Sequence, residues 1–279
     1  MEPRQLVILA LQASIFCIVF GFGLKASVAD LLYLARQPGL LVRSLLAVFV
    51  IVPVLAVGLV LTFDLRPTLR VALIAVSISP VPPLLPRKGT NAGGDRAYGI
   101  SLMATLALLA IVTVPLLAAV MARIFDQPLG ASPGAIAPAV VMAALLPLFA
   151  GTAVRSLLPA IAKRIERPVS RFGLLLAVLA LVVLLAATWQ AVWAAVGDGT
   201  ILVLVVFVVA SLLVGHLLGG PNSDESVVLA LSSACRHPAI ALTIASSSFP
   251  GEEFVGTILL YIIVSAIVCA PYLAWQRDR

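Results

Sequence analysis

The stretch VVLALSSACRHPAIALTIASSSF, Val227 to Phe249, is apolar and long enough to cross a bilayer, yet Arg236, His237 and Pro238 sit near its middle. Proline removes a backbone donor and disfavours helix at the residue before it, so a helix here breaks at that point. A charge on a bare helix at that depth costs at least ~2.5 kcal/mol, which marks it as functional by default. The stretch reads as a broken helix carrying a buried cation, with a solute site near the bilayer midplane.

The surroundings fit a membrane. With 62% hydrophobic and only 11% charged residues, the 279-residue chain is an all-α polytopic membrane protein, one integral domain over 1–279. Nine spans are expected: Leu6–Leu24, Leu40–Thr62, Leu69–Pro86, Ala97–Ala122, Ala135–Val154, Phe172–Val196, Ile201–Leu218, Val227–Phe249 and Phe254–Trp275. The first is too long for a signal-peptide core and reads as a retained helix. With the N-terminus outside, thirteen of the 18 Lys and Arg residues fall in inner segments and four in outer ones. That bias predicts N-out, C-in in a plasma (bacterial inner) membrane. A sided surplus of charge reads as topology beside a lipid bilayer, with no nucleic-acid partner. Cys17, Cys235 and Cys269 lie in apolar segments without metal-ligand spacing and read as packing residues. Nothing in the chain specifies an oligomeric state.

The loops carry helix-start signals. Asn222 followed by Glu225 reads as a capping box for the eighth span, with Asp224 and Glu225 at its positive end. Glu252 and Glu253 are expected to serve the ninth span likewise. The basic run Arg155–Arg171 reads as a cytoplasmic surface loop.

A second break lies in the third span, where Pro80, Pro82, Pro83 and Pro86 fall within seven residues. From Leu69 outside, Pro80 lies about 16 Å deep, and from Val227 inside, Arg236 lies about 14 Å deep. Two helices of opposite direction are thus interrupted near the midplane. Each is followed by one further span. The chain divides into a first repeat of four helices over 1–125 and a second of five over 132–279, the first lacking one leading helix. Inverted repeats with discontinuous helices are a transporter pattern. Candidate substrate or ion residues are Arg236, His237, Ser232, Ser233, Lys88 and Asn91, beside the helix-breaking Pro80, Pro82, Pro83, Pro86 and Pro238. Lys88 also reads as a cation snorkelling to the inner interface. His237 reads either as a titrating group or as a partner for a carbonyl freed by Pro238. Pro53, Pro115 and Pro147 read as structural kinks.

Across nearly the whole chain the motif order resembles the bile acid:sodium symporter family. Its marks are Phe20-Gly21-Phe22-Gly23-Leu24, Arg36-Gln37-Pro38, Pro53, Ser79-Pro80, Gly94-Asp95, Ala239-Ile240-Ala241-Leu242 and Phe249. The resemblance implies two inverted five-helix repeats, a panel and a core domain, and two crossed, broken helices. Nine-helix relatives lack the first helix. It also implies carriage of organic anions, typically with sodium. The departures are specific. The family's glycines after the first proline fall on Val81 and Pro82, and its Ser-Asn pair on Leu85 and Pro86. Its glutamate falls on Ser232, its Gln-Asn pair on Arg236 and His237, and expected hydroxyls on Ala107 and Ala110. Sodium, like other hard cations, wants several oxygens, and few remain.

The expected function is therefore secondary transport of a small organic anion by alternating access, sodium-independent because Arg236 stands where sodium ligands would be. No cofactor is expected, sodium coupling is the alternative, and protons are a further candidate through His237 or Lys88. A non-transporting sensor or assembly subunit is a reading from another class. Enzyme chemistry is disfavoured, because no paired intramembrane carboxylates, metal-ligand set or nucleophile beside a base is present.

Overall fold

A computed structural model describes residues 3–82, 93–126 and 133–277. The described residues form helices and connecting turns, without strands. In chain order they are α1 (Pro3–Lys25), the short α2 (Val28–Leu31), α3 (Pro38–Leu46), α4 (Val52–Thr62), α5 (Pro67–Ile78) and α6 (Arg96–Phe125). Then follow α7 (Pro133–Val140), α8 (Leu146–Leu157), α9 (Pro159–Ala194), α10 (Thr200–Gly219), α11 (Ser223–Ala234), α12 (Pro238–Ser248) and α13 (Val255–Arg277).

Two of the expected spans are continuous only through a wide turn. A π-helical turn, Ala47–Ile51, joins α3 to α4, and another, Val141–Leu145, joins α7 to α8. Each stands just before an X-Pro pair, Val52-Pro53 and Leu146-Pro147. A proline ring in a regular helix collides with the carbonyl four residues back, and a π turn relieves that collision. The backbone N–H of Val52 donates to Ala47 O, and that of Leu146 to Val141 O, one residue further back than in an α-helix.

Among the described residues, eight helical stretches are long and apolar enough to cross a membrane. The protein is an integral membrane protein. The third expected span is the exception. Its helix, α5, has 12 residues and stops at Ile78, about 18 Å of helix, after which Ser79–Pro82 is non-helical. The rest of that expected span, with Pro83 and Pro86, lies outside the described residues.

Three expectations about the loops are corrected. The run Arg155–Arg171 is not a loop: α8 continues to Leu157 and α9 starts at Pro159, so Leu158 alone interrupts the helix. Proline at the first helical position is pre-shaped to restart it. At 36 residues, α9 is about 54 Å long and outreaches a bilayer core of about 30 Å. Its first turns, with exposed Lys163, Arg164 and Arg167, are the overhang, and Glu166 pairs with Lys25 of α1 at 3.0 Å. Asn222 does occupy the cap position of α11, but its side chain makes no cap hydrogen bond. The carboxylate of Glu225 accepts instead from the Tyr33 hydroxyl at 3.2 Å, so no capping box closes. Glu252 and Glu253 precede α13, whose first turn holds no acid. A cap absent from the sequence reading is Asp95, which accepts from the N–H of Tyr98 at 2.6 Å and starts α6.

The helices pack as two groups. In one, α1 lies along α8 and α9. Glycines bring backbones together there: a Cβ on Gly151 would stand 2.3 Å from Phe20 O, and one on Gly23 2.3 Å from Leu148 O. In the other, α10 lies along α11 through Gly215 and Gly219, while α5 packs on α12 and α13. Burial ranks the spans: 78% of the Ser223–Ser248 window is buried, against 11% for α9. The broken segment is central and α9 faces outward.

Gly151→Val is expected to destabilise the protein by about 1–3 kcal/mol, since the obstructing atoms are backbone. The check is thermal unfolding in detergent, followed by labelling of the buried thiols Cys235 and Cys269. An unchanged midpoint would refute the close contact of α1 with α8.

Candidate functional site

The site is the place where the two breaks meet. Ser79, before Pro80, is extended (φ −69°, ψ 151°) and ends α5. Cys235 (φ −105°, ψ 125°) and His237 (φ −77°, ψ 105°) are likewise extended, which separates α11 from α12. His237 is held in this region by Pro238, which then opens α12 at its first position. The two extended segments touch directly, because the N–H of His237 donates to Pro80 O at 2.8 Å.

Arg236 is 2% exposed at this junction. Its Nη1 donates to Ser79 O at 3.1 Å and its Nη2 to Val48 O at 2.8 Å. Both acceptors owe their availability to proline. Ser79 is outside α5 because Pro80 follows it. Val48 lies in the π turn, where a donor five residues on would be residue 53, a proline without N–H. Among the described residues no carboxylate pairs with Arg236. A buried ion without a counter-ion costs several kcal/mol, and here the carbonyl dipoles offset part of that.

Tyr261 of α13 bridges the break. Its hydroxyl accepts from the N–H of Arg236 at 2.9 Å and donates to Ala234 O at 2.8 Å. It thereby satisfies one donor and one acceptor that the interrupted helix leaves over. His237 Nδ1 accepts from the N–H of Ile240 at 3.5 Å and caps α12.

The expected residues divide clearly. Arg236, His237, Ser233, Pro80 and Pro238 come together at the crossing. Ser232 is buried beside them but its hydroxyl donates back to Val228 O at 2.7 Å. Pro82 belongs to the non-helical segment that follows α5. Lys88, Asn91, Pro83 and Pro86 lie outside the described residues. Ala107 and Ala110 are buried in α6 and bring no side-chain oxygen. Three buried polar atoms around the break have no protein partner: Ser233 Oγ, Arg236 Nε and His237 Nε2. The sequence reading did not include Val48 or Tyr261, and it held Ser79 only as part of the Ser79-Pro80 break. Pro53 was the available signal for the free Val48 carbonyl, and nothing in sequence marks Tyr261.

Comparison with known proteins now bears on this geometry. The family model described as "Sodium Bile acid symporter family" matches residues 13–195. The chain belongs to that family. The matched stretch includes the first break and ends before the second. A Bacillus subtilis (strain 168) protein, described as an uncharacterized sodium-dependent transporter, YocS, is 30% identical over 138 residues. The match takes in 50% of this chain and 42% of that relative, so the chain spans less than half of the relative's length.

Tyr261→Phe leaves the Arg236 N–H and the Ala234 carbonyl unpaired in the core. Each such loss costs about 1–3 kcal/mol, so the detergent unfolding midpoint is expected to fall markedly. Phenylalanine keeps the ring packing, which makes an unchanged midpoint evidence against the bridge.

Proposed function

We propose that the protein is a secondary transporter that carries a small organic anion across the membrane by alternating access, without sodium. The observation that carries this reading is the Arg236 guanidinium seated on the Val48 and Ser79 carbonyls. Those oxygens are what a sodium ion would need, and they are engaged by a cation that cannot leave. A sodium ion brought within 4 Å of it would meet a repulsion of about 4 kcal/mol at an effective dielectric of about 20. An anion meets attraction of the same order.

The two helix groups support alternating access, α1, α8 and α9 serving as the panel against which the core moves. Residues 1–125 and 132–279 are the two inverted repeats, and the N-terminus faces outward, as the charge bias favours. Proton coupling through His237 is disfavoured by its surroundings. Its Nδ1 already accepts from Ile240, so a second proton would turn that acceptor into a donor beside Arg236.

Sodium-coupled symport is the second reading, favoured by the family's description and by that of the Bacillus subtilis relative. Its ligands would be backbone carbonyls with Ser232, Ser233 and Asn91.

Flux in proteoliposomes separates the two. Uptake of carboxylates and sulfonates is expected to persist when choline replaces sodium, and to fall about ten- to hundredfold in Arg236→Ala, the loss of charge-assisted hydrogen bonds. Strict sodium dependence, with sodium raising the unfolding midpoint, would establish the second reading instead. Absence of flux for every anion would leave a binding or sensing role.

A further inference from the structure

The overhanging first turns of α9 carry three distinct faces. At about 100° of rotation per residue, Lys163, Arg164, Arg167 and Arg171 fall within one arc of about 100°. All four are exposed. Ile161, Pro168, Phe172 and Leu175, also exposed, take the adjoining arc of about 60°. The remaining arc holds Ala162, Ile165, Glu166, Val169, Ser170 and Gly173, which are buried or half-buried. This third face packs on α1, where a Cβ on Gly173 would stand 2.9 Å from Cys17 Cβ.

The charge of the basic arc is not balanced by the protein. Glu166 is the one carboxylate between Arg155 and Arg171, and Lys25 already pairs with it at 3.0 Å on the packed face. Among the described residues no carboxylate pairs with Lys163, Arg164, Arg167 or Arg171. Arg155 is engaged elsewhere, donating to Leu24 O at 3.2 Å.

The position of the arc selects the partner. Trp189 and Trp193, exposed and stacked near the other end of α9, mark one membrane interface. About 20 residues of bilayer core counted back from them reach Phe172. Arg171 to Lys163 then climb through about 14 Å beyond that boundary, the zone of lipid headgroups and of side chains that snorkel to them. The apolar arc beside the cations, with Phe172 at 60% and Ile161 at 48% exposure, suits contact with acyl chains and glycerol. A soluble acidic partner would leave that arc in water. Guanidinium groups also match phosphate oxygens in a fork geometry.

We infer that the first turns of α9 form a docking surface for anionic phospholipid headgroups, with Lys163, Arg164, Arg167 and Arg171 on the phosphates and Ile161, Phe172 and Leu175 against the chains. The lipid holds α9 from one side while α1 packs on the other. This inference does not depend on which solute is carried.

Spin-labelled phosphatidylglycerol and phosphatidylcholine, in membranes containing the full-length protein, report which lipid is motionally restricted at its surface. Wild type is expected to restrict phosphatidylglycerol in preference. Replacing all four cations by glutamine, a good helix former, should reduce that preference by about fivefold. Arg36→Gln, an exposed cation outside the arc, should leave it unchanged. Raising salt from about 0.1 to 1 M shortens the screening length from about 10 to 3 Å and should abolish the preference. If the four-site variant does not fold, Arg164→Gln with Arg167→Gln decides alone, by a smaller loss in the same direction. The inference is overturned by equal preference in wild type and variant, by an equal loss in Arg36→Gln, or by a preference that survives 1 M salt. A wild type without any preference would also overturn it and leave the basic arc to an acidic soluble partner.

Discussion

A guanidinium buried without a carboxylate is the constraint on which the centre of this protein depends. Arg236 is tolerated because prolines elsewhere leave carbonyls without donors. Pro80 ends α5 and frees Ser79 O, while Pro53 strands Val48 O inside a π turn. Taken singly, each proline weakens its own helix. Taken with Arg236, the weakened places become ligands for a cation. The dependence runs both ways, since removing the arginine would leave two buried carbonyls unpaired.

The surroundings hold this junction in place. Helix α11 is pinned to α10 by backbone contact at Gly215 and Gly219, and Tyr261 closes the gap between Ala234 and Arg236. At the end of α11 away from the break, Glu225 meets Tyr33 and the N–H of Asp95 reaches Asp224 O. The α1, α8 and α9 group has its own glycine seam. Its connection to α10 runs through Gly197, Asp198 and Gly199, all at positive φ, with Arg66 paired to Asp198. Three such residues in a row make a sharp corner that needs little side-chain packing. The two groups also meet where α13 rests on α9, a Cβ on Gly256 standing 2.1 Å from Ala191 O.

Family membership and site chemistry come from different parts of the chain. The family match covers residues 13–195, which includes the first break. Arg236 and His237 lie beyond it. A fold shared with sodium symporters does not transfer the coupling ion, because function resides in the site. At the second break Arg236 donates to the Val48 and Ser79 carbonyls.

Sequence alone determined that the chain spans a membrane, because so apolar a composition admits no other solvent. It also determined that two helices break, because proline excludes a regular helix through local sterics. It placed Arg236 and His237 at one of the breaks. The basic run before α9 was legible as charge but not as helix, since a helix that overhangs the bilayer and a loop carry the same residues. Asn222 and Glu225 matched a capping box locally, and a phenol from Tyr33, distant in sequence, took the carboxylate. That the two breaks touch, and that Arg236 rests on Val48 and Ser79 while Tyr261 splints the gap, only the tertiary structure decided. Those contacts span from 25 to 188 residues of chain. A backbone carbonyl becomes a ligand only when its own helix releases it and another helix arrives, and the second condition is set by packing.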